Sequence, residues 1–208
     1  MKRLTRTRGS MLVLLVGLLA GCANLRLSPS FEDDFSDPAS GWGAASHETY
    51  VRGYQQGRYL FQIDVPQWFV WATGGRLYED VELEAVTRSA GQADNHYGLL
   101  CRHDETRFYY FAVSADGYYA IYRMDEDEIL TPLTGQAMLK SPVIYTDGSD
   151  NRLRASCDGP TLTLFVNGQL VAQVDDDELT SGDVGMAAGT ASVGGTSIWF
   201  DDLEVLRP

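Results

Sequence analysis

The stretch Phe108-Tyr109-Tyr110-Phe111-Ala112-Val113-Ser114-Ala115-Asp116-Gly117-Tyr118-Tyr119-Ala120-Ile121-Tyr122-Arg123-Met124 decides the fold. Two runs of aromatic and β-branched residues, Phe108–Ser114 and Tyr118–Met124, flank an Asp-Gly pair, and such a pair tolerates the positive φ of a type I′ hairpin turn. The same grammar recurs at Thr161–Val166, Asn167-Gly168 and Gln169–Val174, while Asp158-Gly159 supplies a third turn. Residues 151–174 therefore read as a three-stranded antiparallel meander. Outward from these, the runs 44–52, 58–64, 68–72 and 79–87 read as further strands. Turn residues return every 8–12 positions or so with no long helical period between them, as in an all-β sandwich or barrel. The stretch from Gly182 to Gly195 precedes no helix, so it reads as a strand and loop and not as a phosphate cradle.

The chain opens differently. Lys2, Arg3, Arg6 and Arg8 precede an apolar run from Met11 to Leu19, followed by Ala20, Gly21 and Cys22. That run is far shorter than the roughly 20 residues a permanent bilayer span needs, so it reads as an export signal. Leu19-Ala20-Gly21-Cys22 resembles the lipobox of bacterial lipoproteins, which implies cleavage before Cys22 and acylation of that cysteine. The expected organisation is a signal peptide at 1–21, a lipidated cysteine with a short tether at 22–30, and one domain at 31–208. Several acyl chains, at about 0.8 kcal/mol per buried methylene, hold a protein on a membrane almost permanently. The expected location is the extracytoplasmic side of the cell envelope. Ala23, where an aspartate would retain the protein, implies the outer membrane in a cell that has one.

Sixteen Lys and Arg stand against 29 Asp and Glu in 208 residues, a net charge of −13. The leader holds four of the cations and no acid, so the mature charge is −17, 12 basic groups against 29 acidic. Nucleic-acid binding is set aside for want of a basic face, and adhesion to anionic lipid is disfavoured for the same reason. Solubility at a crowded surface accounts for the acidity. With Cys22 consumed by lipid, Cys101 and Cys157 are the remaining pair in an oxidising compartment, and a disulfide is expected. Leu99 and Cys101 share one strand face, as do Leu153, Ala155 and Cys157. If the two strands are neighbours, the bridge stabilises by about 4 kcal/mol.

Several short motifs carry a resemblance. Phe31-Glu32-Asp33-Asp34-Phe35, Tyr97-Gly98-Leu99-Leu100-Cys101-Arg102, Asn167-Gly168, Gly182-Asp183-Val184-Gly185-Met186 and Phe200-Asp201-Asp202-Leu203-Glu204-Val205 resemble the concanavalin A-like lectin/glucanase superfamily over residues 31–206. The pattern is most similar to laminin-G-like and 3-keto-disaccharide hydrolase-type domains. The resemblance implies a jelly-roll sandwich of two curved antiparallel sheets. In sandwich modules of this kind the first and last strands pair and acidic groups there bind calcium, so Asp34 and Asp201, with Asp33 and Asp202 beside them, are candidate ligands for a structural calcium. The alternative is that Asp34 and Asp201 cap or solvate the paired ends.

Parity along the strands assigns Tyr109, Phe111 and Val113, with Tyr119 and Ile121, to the core. The opposite faces then carry Arg102, Tyr110, Tyr118, Tyr122 and Arg154, which with Trp71 form a candidate glycan groove: rings stack on the C–H faces of sugars and guanidinium groups bridge hydroxyls. Equally, tyrosines suit strands and keep their hydroxyls wet. At least one of Trp68 and Trp71 is expected to be buried, and Trp42 to pack under the opening strand. Asp80, Glu82 and Glu84 share a strand face, but their spacing does not match the Glu-x-Asp-x-x-Glu of related glucanases, and a solvated face explains them. His96 and His103, seven apart, are expected on opposite faces and so cannot chelate one ion. No Gly-x-Ser-x-Gly elbow or nucleophilic cysteine is present. The sequence thus points to a tethered module that binds a glycan or another partner. A glycoside hydrolase and a structural envelope protein are the alternatives.

Overall fold

Alternate residues of the sequence choose between two environments, and in the computed structural model, which describes residues 30–207, that choice builds two antiparallel sheets from sixteen strands. The chain opens with β1 (Phe31–Asp33), β2 (Ala45–Ser46), β3 (Tyr50–Gln55), β4 (Arg58–Ile63) and β5 (Phe69–Thr73). Then come β6 (Val81–Gly91), β7 (Asn95–Asp104), β8 (Arg107–Val113), β9 (Tyr118–Met124), and the short β10 (Leu130–Pro132) and β11 (Leu139–Lys140). It closes with β12 (Asn151–Asp158), β13 (Thr161–Val166), β14 (Gln169–Asp175), β15 (Asp183–Thr190) and β16 (Thr196–Leu206). One sheet runs β14-β13-β12-β6-β16-β4-β3-β2, with β1 beside β16; the other runs β10-β9-β8-β7-β15-β5, with β11 on β9. This is the all-β, two-sheet jelly roll that the sequence resemblance implied. The leader 1–21, Cys22 and the tether to residue 29 lie outside the described residues.

First and last strands do pair, Phe31 opposite Val205 and Asp33 opposite Leu203. The last strand serves three partners: one edge pairs with β6, with an irregularity between Asp201 and Glu204, while along the other Thr196–Phe200 pairs with β4 and Leu203–Val205 with β1. Trp42 tucks beneath β1 as expected, between Phe31 and Phe35, its indole N–H donating to Asp33 Oδ2 at 2.7 Å.

The core lies between the sheets. Val81, Leu83 and Ala85 of β6 and Leu153, Ala155 and Cys157 of β12 face Tyr97, Leu99 and Cys101 of β7 and Tyr109, Phe111 and Val113 of β8, all fully or almost fully buried. Each valine, leucine or phenylalanine among them contributes about 1.5–3 kcal/mol by leaving water. Cys101 and Cys157 are disulfide-bonded, but their strands are not neighbours: β7 and β12 belong to opposite sheets, and the bridge crosses the core.

The turns follow the residues with local corrections. Asn167 and Gly168 both take positive φ, 51° and 78°, as a type I′ turn requires. At Asp116-Gly117 only the glycine does; Gly117 N–H donates to Ser114 O at 3.1 Å and Ser114 N–H to Tyr118 O at 2.8 Å, a longer loop closed by one left-handed residue. The Asp158-Gly159 turn shifts by one residue to Gly159-Pro160, between the paired Asp158 and Thr161. The run 44–52 divides into β2 and β3, and Gln56-Gly57, both left-handed at 54° and 71°, turns β3 into β4.

Candidate functional site

The outward face of the seven-stranded sheet, which a sandwich would ordinarily leave polar, is a second apolar layer. Leu100 of β7, Phe108, Tyr110 and Ala112 of β8, Met124 of β9 and Ala187 of β15 are buried there, with Phe69, Trp71, Tyr122, Leu130 and Met138 packed around them. The rings form a continuous chain. His103 stacks on Phe108 at 5.6 Å, Phe108 meets Trp71 at 5.6 Å, and Trp71 meets Phe69 at 5.7 Å. Phe69 stacks on His96 at 5.4 Å and meets Tyr110 at 5.2 Å, and Tyr110 stacks on Tyr122 at 6.1 Å. Such pairs add about 0.5–1.5 kcal/mol each beyond area burial. A Cβ on Gly189 of β15 would come within 2.4 Å of the His96 ring, so glycine there gives the imidazole its place.

A bulge puts both histidines on this face, against the expectation that they diverge. Cys101 pairs with Tyr109 and the next pair is Asp104 with Arg107, with Arg102 at φ 54° between them. The extra residue resets the alternation. His103 then joins His96 on the ring-lined side while Arg102 leaves it. Gly182 permits this, because a Cβ there would lie 2.4 Å from the Arg102 carbonyl carbon.

Of the proposed groove residues, Tyr110, Tyr122 and Trp71 come together, and Tyr118 lies on the same face further along β9, its ring 5.3 Å from Lys140 Nζ. Two are corrected. Arg102 is 2% exposed and clasps Glu79 O, Leu179 O and Asp80 at one end of the sandwich. Arg154 belongs to the nine-stranded sheet, over the Phe165 ring at 4.0 Å and 3.4 Å from the Glu82 carboxylate. Shared parity does not say which sheet a strand joins. Phe69, His96, His103 and Phe108 were not picked from the sequence, although Phe108 has the parity of Tyr110. Trp68 is 41% exposed, and Trp71 is the more buried of the pair.

The carboxylates lie elsewhere. Glu84 pairs with Arg152 at 2.6 Å and Arg88 with Asp150 at 2.6 Å on the outward face of the nine-stranded sheet, the solvated arrangement expected of the β6 acids. Asp34 accepts the Ser36 amide at 3.0 Å and Asp201 pairs with Arg58 at 3.1 Å. These are the capping and ion-pairing contacts that the sequence offered as the alternative to calcium, and among the described residues no group of three or more His, Cys, Asp or Glu is placed to hold a metal ion.

Burial among rings lowers the His96 pKa from 6.5 to about 4, with Asp94 opposing, and lowers that of His103, while Tyr110 and Tyr122 are raised. Near neutral pH both imidazoles and both phenols are therefore uncharged. Its polar atoms include a His96 Nδ1 to Tyr110 hydroxyl contact of 3.1 Å and a buried His103 Nε2 that has no partner among the described residues. A stability effect follows. An unfolded chain protonates His96 near 6.5, before the folded chain does, so between pH 6.5 and about 4 the unfolded state binds more protons and stability falls as the pH drops. The slope is at most about 1.4 kcal/mol per pH unit. Urea unfolding at pH 7 and pH 4.5 is expected to show the wild type losing about 2 kcal/mol more than His96→Asn; equal losses would mean that the imidazole is not desolvated.

No protein-family profile and no curated protein matches the chain. Solved structures do. The carbohydrate-binding module CBM66 from Bacillus subtilis superposes with a TM-score of 0.59 at 14% identity, over 81% of this chain and 93% of that one. A Bacillus subtilis protein of unknown function with a galectin-like fold gives 0.66 at 9%, over 88% and 97%. The Bacillus licheniformis β-glucanase gives 0.64 at 10%, over 88% and 100%. What they share with this chain is the fold, a jelly roll of two antiparallel sheets. At these identities the likeness concerns the fold.

Proposed function

We propose that this chain is a lipid-tethered, extracytoplasmic module that binds an uncharged glycan on the ring-lined face of the seven-stranded sheet without cleaving it. One observation carries the reading: Trp71, Tyr122, Phe69 and the two imidazoles stand together on one face, and the two carboxylates of its strands are engaged elsewhere, Asp183 accepting the Gly75, Arg76 and Val184 amides and Asp104 pairing with Arg107, so they form no free pair. Rings pack against the C–H faces of a sugar, while ring nitrogens and phenol oxygens meet its hydroxyls. Glycoside hydrolysis of the usual kind needs an acid and a nucleophile or base from a carboxylate pair. The solved neighbours include a carbohydrate-binding module and a glucanase, which favours a sugar ligand without deciding between binding and cleavage. The lipobox at Cys22 would set the location, and the lipid is read by mass spectrometry of the mature protein.

The test uses the full chain in detergent micelles on a glycan array. Trp71→Ala and Tyr122→Ala are each expected to weaken binding about tenfold, equivalent to about 1.4 kcal/mol for a lost stacking ring. Trp71→Phe should retain most of it. An array without a hit, or turnover of β-glucans or 3-keto-glycosides by the same preparation, overturns the proposal.

A further inference from the structure

At one end of the sandwich a cavity of about 250 Å³ opens between β6, β7 and the loop that precedes β12, lined by Ser89, Tyr97, Tyr145, Thr146, Ser149 and Asn151 among others. Its size falls just under the roughly 300–1,000 Å³ typical of drug-sized ligands, which suits a single ring. None of its lining side chains is charged, although the chain carries −13. By contrast the depression beside β1 is lined by Asp34, Asp37, Asp202 and Glu204. An ion entering the Tyr145 cavity would shed water and meet no counter-charge, so the lining disfavours charged ligands.

The loop is built to hold one ring in place. Asn151, 1% exposed, accepts the Tyr145 N–H on Oδ1 at 2.9 Å and donates from Nδ2 to the Tyr145 carbonyl at 2.9 Å. Asn167 Nδ2 donates to the same Oδ1 at 2.9 Å. Both backbone groups of Tyr145 are thus fixed by one buried amide, yet its ring is 52% exposed. The opposite wall is held likewise: buried Asn95 donates to Ser89 Oγ at 3.1 Å, which leaves the serine hydroxyl proton for a ligand. A fixed, exposed phenol ring beside three hydroxyls, in a lining without charge, is what a sugar ring needs: one stacking surface and several small donor–acceptors. Preorganisation of this kind lowers the ordering cost of binding.

We infer that this cavity is a second binding site, separate from the ring-lined face, that takes one uncharged monosaccharide unit, free or at the end of a chain. It shares its ligand class with the proposed function but stands on different residues. The test is saturation-transfer NMR on the full chain in micelles with methyl glycosides of neutral hexoses, N-acetylhexosamines and hexuronic acids. The expected result is transfer to at least one neutral glycoside and none to the uronates, with the signal reduced at least tenfold by Tyr145→Ala, whose backbone contacts to Asn151 survive, and by Ala93→Trp at the cavity mouth. Thermal unfolding checks both variants for folding. Comparison with Trp71→Ala separates the sites: loss of monosaccharide binding with Trp71→Ala but not with Tyr145→Ala overturns this inference and leaves the ring-lined face standing. Loss with Tyr145→Ala alone supports the inference, whatever becomes of array binding on the other face. Absence of transfer, or equal transfer to uronates, overturns it.

Discussion

The double variant Cys101→Ala/Cys157→Ala is expected to unfold about 4 kcal/mol more easily than the wild type, a fall in melting temperature of about 8–16 °C for a domain of this size. The bridge spans a sequence separation of 56, and its Cα atoms stand 6.8 Å apart in opposite sheets. In an unfolded chain it forbids the many conformations in which β7 and β12 drift apart, so its removal raises unfolded-state entropy far more than it alters the native core. Both cysteines are fully buried, and alanine leaves only a small void. Denaturant titration should show a lower midpoint together with a steeper slope, because the unlinked chain exposes more surface. A lowered midpoint with unchanged slope would move the effect to the native state, and a loss under about 1 kcal/mol would remove the entropic account. The bridge also lies one residue before the bulge at Arg102, so it fixes the place in β7 where the alternation resets.

Alternation was legible wherever it ran unbroken. The inward set Tyr109, Phe111, Val113 and Ile121 and the meander β12–β14 follow from the residue pattern, because one-residue slips would turn every side chain to the other face. Two physical facts lay beyond it. Parity does not encode sheet membership, so Arg154 of β12 and Tyr110 of β8, grouped by pattern, face outward from opposite sheets. Nor does hydrophobicity mark the site when both faces of a sheet are apolar: Phe108 through Val113 are all buried, so the outward rings Phe108 and Tyr110 look like core. The histidines were misplaced for a third reason, since a bulge at a non-glycine residue carries no sequence signature: Arg102 takes φ 54° while its side chain is held at the end of the sandwich.

That last point carries the second large prediction. Arg102→Ala is expected to cost about 3 kcal/mol of stability, and Arg102→Lys most of that. The guanidinium donates through Nε to Glu79 O at 3.0 Å, through one Nη to Leu179 O at 2.8 Å, and through the other to Asp80 Oδ1 at 3.2 Å. Asp80 also accepts the Gly159 amide at 2.9 Å, so one side chain ties the end of β7 to the segment before β6, to the β12–β13 turn and to the segment before β15. Hydrogen bonds from a charged donor contribute about 1.5–3 kcal/mol each at most, and Asp80, half-exposed, regains water when its partner goes. Lysine brings one nitrogen to a place that needs a fork, and it cannot reach all three acceptors. Without the clasp, the left-handed φ at position 102 loses its compensation and the bulge can relax, which would turn His103 away from Phe108 and Trp71. Urea unfolding measures the first effect, and the His103 imidazole resonances report the second through loss of ring-current shifts. An Arg102→Ala protein of native stability that nonetheless lost glycan binding would return Arg102 to the groove and remove it from the scaffold.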